Sequence, residues 1–181
     1  MREACEVVMI EVNMQLHWGS RGEELDALVY KAAEYLALVA GFGFPFETWV
    51  QPGKSRKNAL AAPAIDLADH EQIRKLLLKG RNRTDFSPRT VIPELGYHFG
   101  LWNQALGDVD ATVSLRCGVN SEFLNKDAQN LVSFRASARE TLHLTEATIE
   151  QAFLRSAAIW TPQGGRARIR RMNSEHTVSA I

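Results

Sequence analysis

Alternation of apolar and polar side chains near the start of the chain constrains the fold most strongly. Within residues 5–17, one parity carries the apolar series Val8, Ile10, Val12, Met14 and Leu16. The opposite parity carries Met9, Glu11, Asn13 and Gln15. Because successive side chains of a strand point to opposite faces, this pattern predicts a strand with one buried face and one solvated face.

Two helices are predicted in the first half of the chain. Ser20 precedes Glu23 at the spacing of a capping box, and apolar residues then recur at intervals of three and four through about Ala40. A second amphipathic helix extends over residues 69–79, where the aspartate at its start is a suitable cap. Gly80 is suited to follow its last turn.

The second half of the chain favours β-structure. Three runs of strand length occupy residues 90–103, 110–119 and 130–137, and turn-type or loop-type segments separate them. Alternation in the second run indicates a half-exposed antiparallel strand. A further helix, capped by Thr145, is predicted through about Ile159.

These elements predict a single α+β domain over residues 1–181. Its sheet is antiparallel and has about four or five strands, with helices packed on one face. Residues 162–181 lose the periodic pattern, and the segment RARIRR within them is either an edge strand or part of a loosely ordered basic tail. A short helix over residues 55–61 interrupts a loop-like segment that is rich in Gly, Pro and aromatic residues.

The charge balance and the cysteines limit the classes of partner and compartment. The chain of 181 residues has 21 basic and 21 acidic side chains, whereas proteins that coat nucleic acid usually carry a basic excess. Cys5 and Cys117 form no metal or redox motif and are expected to be buried, reduced thiols. No apolar run approaches the roughly 20 residues that span a bilayer. We therefore expect a soluble, cytoplasmic protein with no membrane partner.

The sequence contains none of the common catalytic templates. GFGFPF lacks the third glycine of a dinucleotide-binding loop, the five histidines lack metal-ligand spacing, and neither GxSxG nor GxxxxGK[ST] occurs. Glu94, Asp108 and Asp110 lie near predicted strand ends, where turn chemistry is favoured over a nuclease-like acidic set. We expect no enzymatic activity, no metal and no cofactor.

Aromatic and basic residues concentrate in or beside the predicted loops. Tryptophan and arginine are enriched in interface hot spots because each buries a large area and also donates hydrogen bonds. The candidates for partner binding are Trp18, Arg21, Trp49, Lys54, Arg56, Arg81, Asn82, Arg83, Trp102 and Asn103. A competing interpretation places the tryptophans in the core. It also places the arginines of GRNRTD inside the fold, as ligands of helix carbonyls or as bidentate partners of Asp85 or a distant carboxylate.

Five segments that occur in a fixed order carry a resemblance to a known family. They are HWGSR, GKSRKNAL, LLLKGRNRTD, VIPELGYHFGLWN and VSLRCGV. In this order they resemble the immunity-protein family numbered fifty-two among the partners of bacterial polymorphic toxins. The resemblance implies one-to-one binding and neutralisation of a cognate type VI secretion toxin with a restriction-endonuclease-fold nuclease domain, which protects the producing cell.

Two mechanisms of inhibition and one rival function stay open at this point. The protein either plugs the catalytic cleft of the toxin or blocks its assembly or substrate loading. The rival function is a nucleic-acid-binding module in which basic side chains contact phosphates and tryptophans stack on bases. Its phosphate contacts are Lys54, Arg56, Lys57, Arg81, Arg83 and the cluster at 166–171. The neutral charge balance weighs against this rival.

Overall fold

The computed structural model describes residues 9–122, 129–139, 141–171 and 174–181. Within them, one sheet contains β1 (Met9–Trp18), β2 (Tyr97–Trp102), β3 (Val109–Cys117), β4 (Asn130–Arg139), β5 (Gly164–Arg171) and β6 (Ser174–Ala180). The helices are α1 (Leu25–Ala40), α2 (Arg56–Leu60), α3 (His70–Lys79) and α4 (Glu146–Trp160). All strand pairs are antiparallel, in the order β2-β3-β4-β1-β5-β6. The predicted α+β class is confirmed, and the sheet has six strands rather than four or five.

The alternating stretch at the start of the chain is an inner strand of the sheet. β1 pairs with β4 on one side and with β5 on the other, so that Asn13 lies opposite both Arg135 and Arg168. The buried, core-facing side chains of this strand are Val12, Met14, Leu16 and Trp18. The prediction of a strand with one buried face is thus confirmed for residues 9–18, and its first part, residues 5–8, lies outside the described residues.

The C-terminal residues contribute two strands. β5 lies between β1 and β6, so the segment RARIRR is neither an edge strand nor a loosely ordered tail. Ala167 and Ile169 occupy its core-facing parity and are buried, whereas Arg166, Arg168 and Arg170 occupy the other parity. Two apolar positions among four arginines give a weak strand signal, which explains the ambiguity of the sequence. β6 is the edge strand on this side of the sheet, and β2 is the edge strand on the other.

Helices α1, α3 and α4 pack on one face of the sheet, as predicted. Leu36, Ile73 and Phe153, one from each helix, are buried in the apolar cluster that also contains the core-facing side chains of the sheet. The short helix α2 lies within the predicted segment 55–61. Across the described residues, no helix has the combination of length and hydrophobicity needed to cross a bilayer.

Side-chain caps mark three of the four predicted helix starts. The capping residues are Ser55, Asp69 and Thr145, each of which accepts a hydrogen bond from a backbone N–H in the first turn. The capping box predicted at Ser20 is wrong. α1 begins at Leu25, and the Ser20 hydroxyl instead donates a hydrogen bond of 3.0 Å to Oδ1 of Asn120. A contact with the distant β3–β4 connection has replaced the local cap.

Candidate functional site

The face of the sheet opposite α1, α3 and α4 carries no helix in the part of the chain that the structure describes. We call this surface the open face; it consists of the side chains of β1, β3, β4 and β5 that point away from the core. Its arginines are Arg116, Arg135, Arg139, Arg166, Arg168 and Arg170. Its other polar side chains include Glu11, Asn13, Gln15, Asp110, Thr112, Ser114, Ser133 and Ser137. All the arginines are exposed except Arg168, which is half-buried.

The strand register arranges these side chains in rows across the sheet. One row runs from Thr112 through Arg135 and Asn13 to Arg168. Neighbouring strands are about 4.8 Å apart, so two residues separated by one strand lie about 10 Å from each other. The arginines therefore stand at fixed intervals on a paired backbone, and the open face holds its charges in a defined pattern.

The open face is cationic although the chain as a whole is neutral. Against its six arginines the described side chains of the face offer two carboxylates, Glu11 and Asp110, so the balance is four positive charges. All the cations of the face are arginines, although the chain also contains six lysines. The charge of the molecule is thus unevenly distributed, and this face is a basic patch that the total charge conceals.

The two carboxylates of the open face have defined neighbours. Asp110 Oδ1 accepts a hydrogen bond of 2.6 Å from Nε1 of Trp102, and Glu11 Oε2 lies 3.9 Å from Nη1 of Arg170. Between them is a depression of about 380 Å³ to which Asn13 and Arg135 contribute. An exposed ion pair at such a distance stabilises the fold little. The net charge of the described side chains of the face is therefore positive.

Three of the predicted partner-binding residues are buried in the core. Trp18 stacks on Trp160 with ring centroids 5.4 Å apart, and Trp49 donates its Nε1–H to the Phe46 carbonyl at 2.7 Å. The Asn103 carboxamide accepts hydrogen bonds from backbone N–H groups and donates to the Val109 carbonyl at 2.9 Å. These side chains have no surface to offer to a partner. The two tryptophans pack in the core, and Asn103 stabilises the turn before β3.

Arg21 is also engaged within the fold. Its guanidinium donates to the backbone carbonyls of Trp160 at 2.8 Å and Thr161 at 3.1 Å, and lies 5.1 Å from the ring centroid of Trp18. It also approaches the carboxylate of Glu23 at 3.4 Å. Because the last carbonyls of a helix lack partners within the helix, Arg21 is placed to stabilise the C-terminus of α4.

The GRNRTD segment is joined to the fold mainly by its backbone and by one amide. Isolated bridges connect Arg81 with Tyr97 and Arg83 with Val91, and Asn82 Nδ2 donates to the Leu95 carbonyl at 2.9 Å. The Arg81 guanidinium lies 5.9 Å from the ring centroid of Tyr97. Within the described residues neither arginine forms an ion pair, so the pairing considered with Asp85 is not present. The Arg83 side chain is exposed.

The remaining predicted residues lie at the surface, and two of them adjoin the open face. Arg56 and Trp102 line a second depression together with Asp110 and Arg139, whereas Lys54 is exposed in the loop before α2. Sequence reasoning noted the cluster at 166–171 but did not bring it together with the arginines of β3 and β4. The available signal was the placement of arginine on the polar parity of several strands. Their order in the sheet was needed to make it one surface.

Metal-ligating residues do not gather in the described part of the chain. No group of three or more His, Cys, Asp or Glu side chains there has the proximity to hold an ion. Asp110 is one of the three acids considered as a nuclease-like set, and its carboxylate accepts a hydrogen bond from the indole of Trp102. Glu94, another of the three, accepts a hydrogen bond from Asn120 N through its backbone carbonyl. The arrangement offers recognition through guanidinium groups.

Comparison of the sequence with protein-family models gives no match, and comparison with curated proteins gives none either. The resemblance to the immunity family is therefore carried by the five short segments themselves.

Proposed function

We propose that this chain is an immunity protein that binds and neutralises a nuclease toxin delivered by a type VI secretion system. The complex is one-to-one and forms in the cytoplasm, where the toxin meets its nucleic-acid substrate. The support comes from the ordered series of five segments that resembles the immunity family. Their spatial relationship in the fold adds to it.

Four of the five segments that carry the resemblance are directly connected in the structure, and the fifth is reached through one neighbouring residue. Asn82 of GRNRTD donates a hydrogen bond to the Leu95 carbonyl of VIPELGYHFGLWN. VIPELGYHFGLWN in turn pairs with VSLRCGV in the β2–β3 ladder. HWGSR reaches the end of VSLRCGV through the Arg21 N–H, which donates to the Val119 carbonyl at 2.9 Å. The carboxamide of Gln104, the residue that directly follows VIPELGYHFGLWN, donates to the Ala59 carbonyl of GKSRKNAL at 3.1 Å. The five segments therefore lie in one connected piece of the fold, and this observation carries the proposal.

A rigid scaffold with an exposed, ordered polar surface suits a tight inhibitor. The entropic cost of binding is low when the contacting side chains stand on paired strands, because little of the backbone has to be ordered on association. Neutralising a lethal nuclease requires affinity in the nanomolar range or better, which corresponds to about 12 kcal/mol of binding free energy. Cleft plugging and interference with toxin assembly both require only a complementary surface of this kind.

Calorimetric titration of the protein into a catalytically inactive nuclease domain of its cognate toxin tests the proposal. We expect one-to-one binding with a dissociation constant at or below about 1 nM. A DNA duplex added in excess distinguishes the mechanisms, because a cleft plug competes with DNA whereas a protein that blocks assembly binds the DNA-loaded toxin as well. Absence of heat together with absence of a complex on gel filtration would contradict the proposal.

The cationic open face also supports a second candidate, a nucleic-acid-binding module. Exposed arginines are suitable ligands of phosphates. The predicted stacking platform is weak, however, because three of the four tryptophans are buried and Trp102 is tied to Asp110. Fluorescence anisotropy with labelled single-stranded and duplex DNA at about 50 and 200 mM salt tests this function, for which affinity should fall steeply with salt.

A further inference from the structure

We infer that the open face is the surface that binds the toxin, and that it meets an acidic patch of that protein. This inference rests on the proposed function and adds to it a location and a partner chemistry. The surface comprises outward side chains of β1, β3, β4 and β5. Its arginines lie near the centre (Arg135), along β5 (Arg166, Arg168 and Arg170) and at opposite ends of the strands (Arg116 and Arg139). No residue on the core side of the sheet takes part.

The open face is large enough to supply more than half of one side of a protein interface. Its four strands span roughly 19 Å across the sheet, and a strand of eight residues is about 26 Å long. The resulting flat area is roughly 500 Å², compared with the roughly 800 Å² that each partner contributes to a standard interface. Arg56 and Trp102 border this area and extend it at one end.

The type of cation on the open face favours a protein partner. Its six basic strand residues are all arginine, and arginine is enriched in protein interfaces whereas lysine is depleted. A guanidinium presents a planar pair of donors to a carboxylate and is less strongly hydrated than an ammonium group, so it loses less when water is excluded. Carboxylates of the partner are thus the natural ligands of this surface.

Two features of the open face weigh against a nucleic acid as its occupant. Glu11 and Asp110 line the depression that crosses β1, β4 and β3, where they would repel a phosphate backbone laid across the strands. The tryptophan nearest to this area, Trp102, donates to Asp110 and is only half-exposed. A mixed surface of arginines, carboxylates and hydroxyl groups is complementary to a protein surface with carboxylates opposite the arginines and donors opposite the acids.

Charge reversal on the open face is the direct test, with a matched reversal on the other side of the molecule as the control. Arg135 and Arg166 are exposed, they belong to different strands, and no ion pair joins either to a described carboxylate. Arg155 is exposed on α4, on the helical side of the sheet. The experiment compares wild type, the double variant Arg135→Glu/Arg166→Glu and the single variant Arg155→Glu. Each is titrated into the inactive nuclease domain after its melting temperature has been checked.

We expect the double variant to bind the toxin about 100-fold more weakly than wild type, mainly through slower association at low salt, and Arg155→Glu to stay within about twofold. A double variant that melts like wild type excludes unfolding as the cause. The conservative variant Arg135→Lys is a second measurement. If Arg135 binds a carboxylate of the toxin through two parallel hydrogen bonds, lysine cannot reproduce this geometry, and the variant should bind the toxin more weakly although its charge is unchanged.

The outcomes separate the inference from the proposed function. If wild type binds and the double variant binds equally well, the toxin uses another surface and the inference is wrong while the immunity function stands. If wild type binds no toxin, both are wrong. If wild type binds DNA instead, and Arg135→Glu/Arg166→Glu abolishes that binding, the open face is a nucleic-acid surface and the acidic protein partner is excluded.

Discussion

The thiol of Cys117 lies in the core at the end of β3, fully buried. Burial raises the pKa of this thiol to about 12, and the nearby carboxylate of Glu23 acts in the same direction. Because the thiolate is the reactive form of cysteine, Cys117 is expected to be inert toward thiol reagents in the folded protein at neutral pH. The residue serves as an apolar side chain of the core, as the sequence predicted. Cys5 lies outside the described residues.

This raised pKa predicts a loss of stability in alkaline solution. The unfolded chain ionises its thiol near pH 9, whereas the folded chain keeps the thiol neutral up to about pH 12. The contribution of the neutral thiol to the stability of the folded state is therefore complete below about pH 8 and is lost as pH rises. Above about pH 9 the free energy of unfolding should fall by about 1.4 kcal/mol per pH unit from this group. Burial raises the pKa of Tyr35 as well and adds to the decline at higher pH.

Urea unfolding of the variant Cys5→Ser between about pH 7 and pH 10.5 measures this effect. The matched control is Cys5→Ser/Cys117→Ala, which retains Tyr35 and lacks the buried thiol. The control should lose less stability over this range than Cys5→Ser. Parallel pH profiles for the two variants, or rapid labelling of Cys117 by a disulfide reagent in the native protein, would show that the thiol is accessible.

Residue type alone does not tell whether a tryptophan or an asparagine is buried in the core or exposed at the surface. Trp18 and Trp49 belong to loop-like or strand-end segments, for which the sequence favours a core position but leaves a partner contact open. Their burial follows from contacts with residues far along the chain, such as the stacking of Trp18 on Trp160. Such contacts are fixed by the packing of elements, which the local pattern does not contain.

At the scale of elements, the segment 81–84 forms a short ladder with the chain that leads into β2. Thr84 N donates to the Thr90 carbonyl and Ile92 N to the Asn82 carbonyl, each at 2.9 Å. The side chain of Asn82 adds a hydrogen bond to Leu95, whereas that of Arg83 points to solvent. The GRNRTD segment is thus held in the fold by its backbone and by Asn82, whereas the side chain of Arg83 is exposed at the surface.

Two alanine variants separate these roles. Asn82→Ala should lower the free energy of unfolding by about 1 kcal/mol, because a partly buried carbonyl loses its donor. Arg83→Ala should change the free energy of unfolding by no more than about 0.5 kcal/mol, because the side chain that it removes is exposed and forms no ion pair with a described residue. Urea unfolding of both variants beside wild type measures the difference. A larger loss for Arg83→Ala than for Asn82→Ala would reverse the assignment.

The starts of the helices illustrate how far local sequence determines an element. Asp69 and Thr145 cap their helices because their side chains reach N–H groups within three residues. Ser20 offers a hydroxyl as Thr145 does and has Glu23 three residues on, but its hydroxyl donates to Asn120 and α1 begins only at Leu25. Local rules predict a cap correctly until a tertiary contact competes for the same group.

At the scale of the whole molecule, periodicity predicted the α+β class, the antiparallel pairing and the helices on one face. It did not predict the number of strands, because β5 alternates arginine with only two apolar residues. For the same reason it did not reveal the open face, which exists only when β5 lies beside β1 and β4 beside β3. A net charge of zero hid the patch, since acidic residues elsewhere balance it.

Shortening the chain at its C-terminus tests whether these last strands belong to the fold. A stop after Arg171 removes β6 and the partly buried Val178, so we expect the free energy of unfolding to fall by about 1–2 kcal/mol. A stop after Pro162 also removes β5, which pairs with β1 from Gly164 to Arg171 and buries Ile169.

The longer truncation should remove most of the stability of about 5–15 kcal/mol that a domain of this kind has. It also turns β1, the central strand of the apolar face, into an unprotected edge, which favours aggregation through strand pairing. Circular dichroism, urea unfolding and gel filtration of the two truncated chains measure these effects. If the chain that ends at Pro162 stays monomeric with an unchanged melting temperature, the last nineteen residues are a dispensable tail, and the arginines of β5 are no part of an ordered surface.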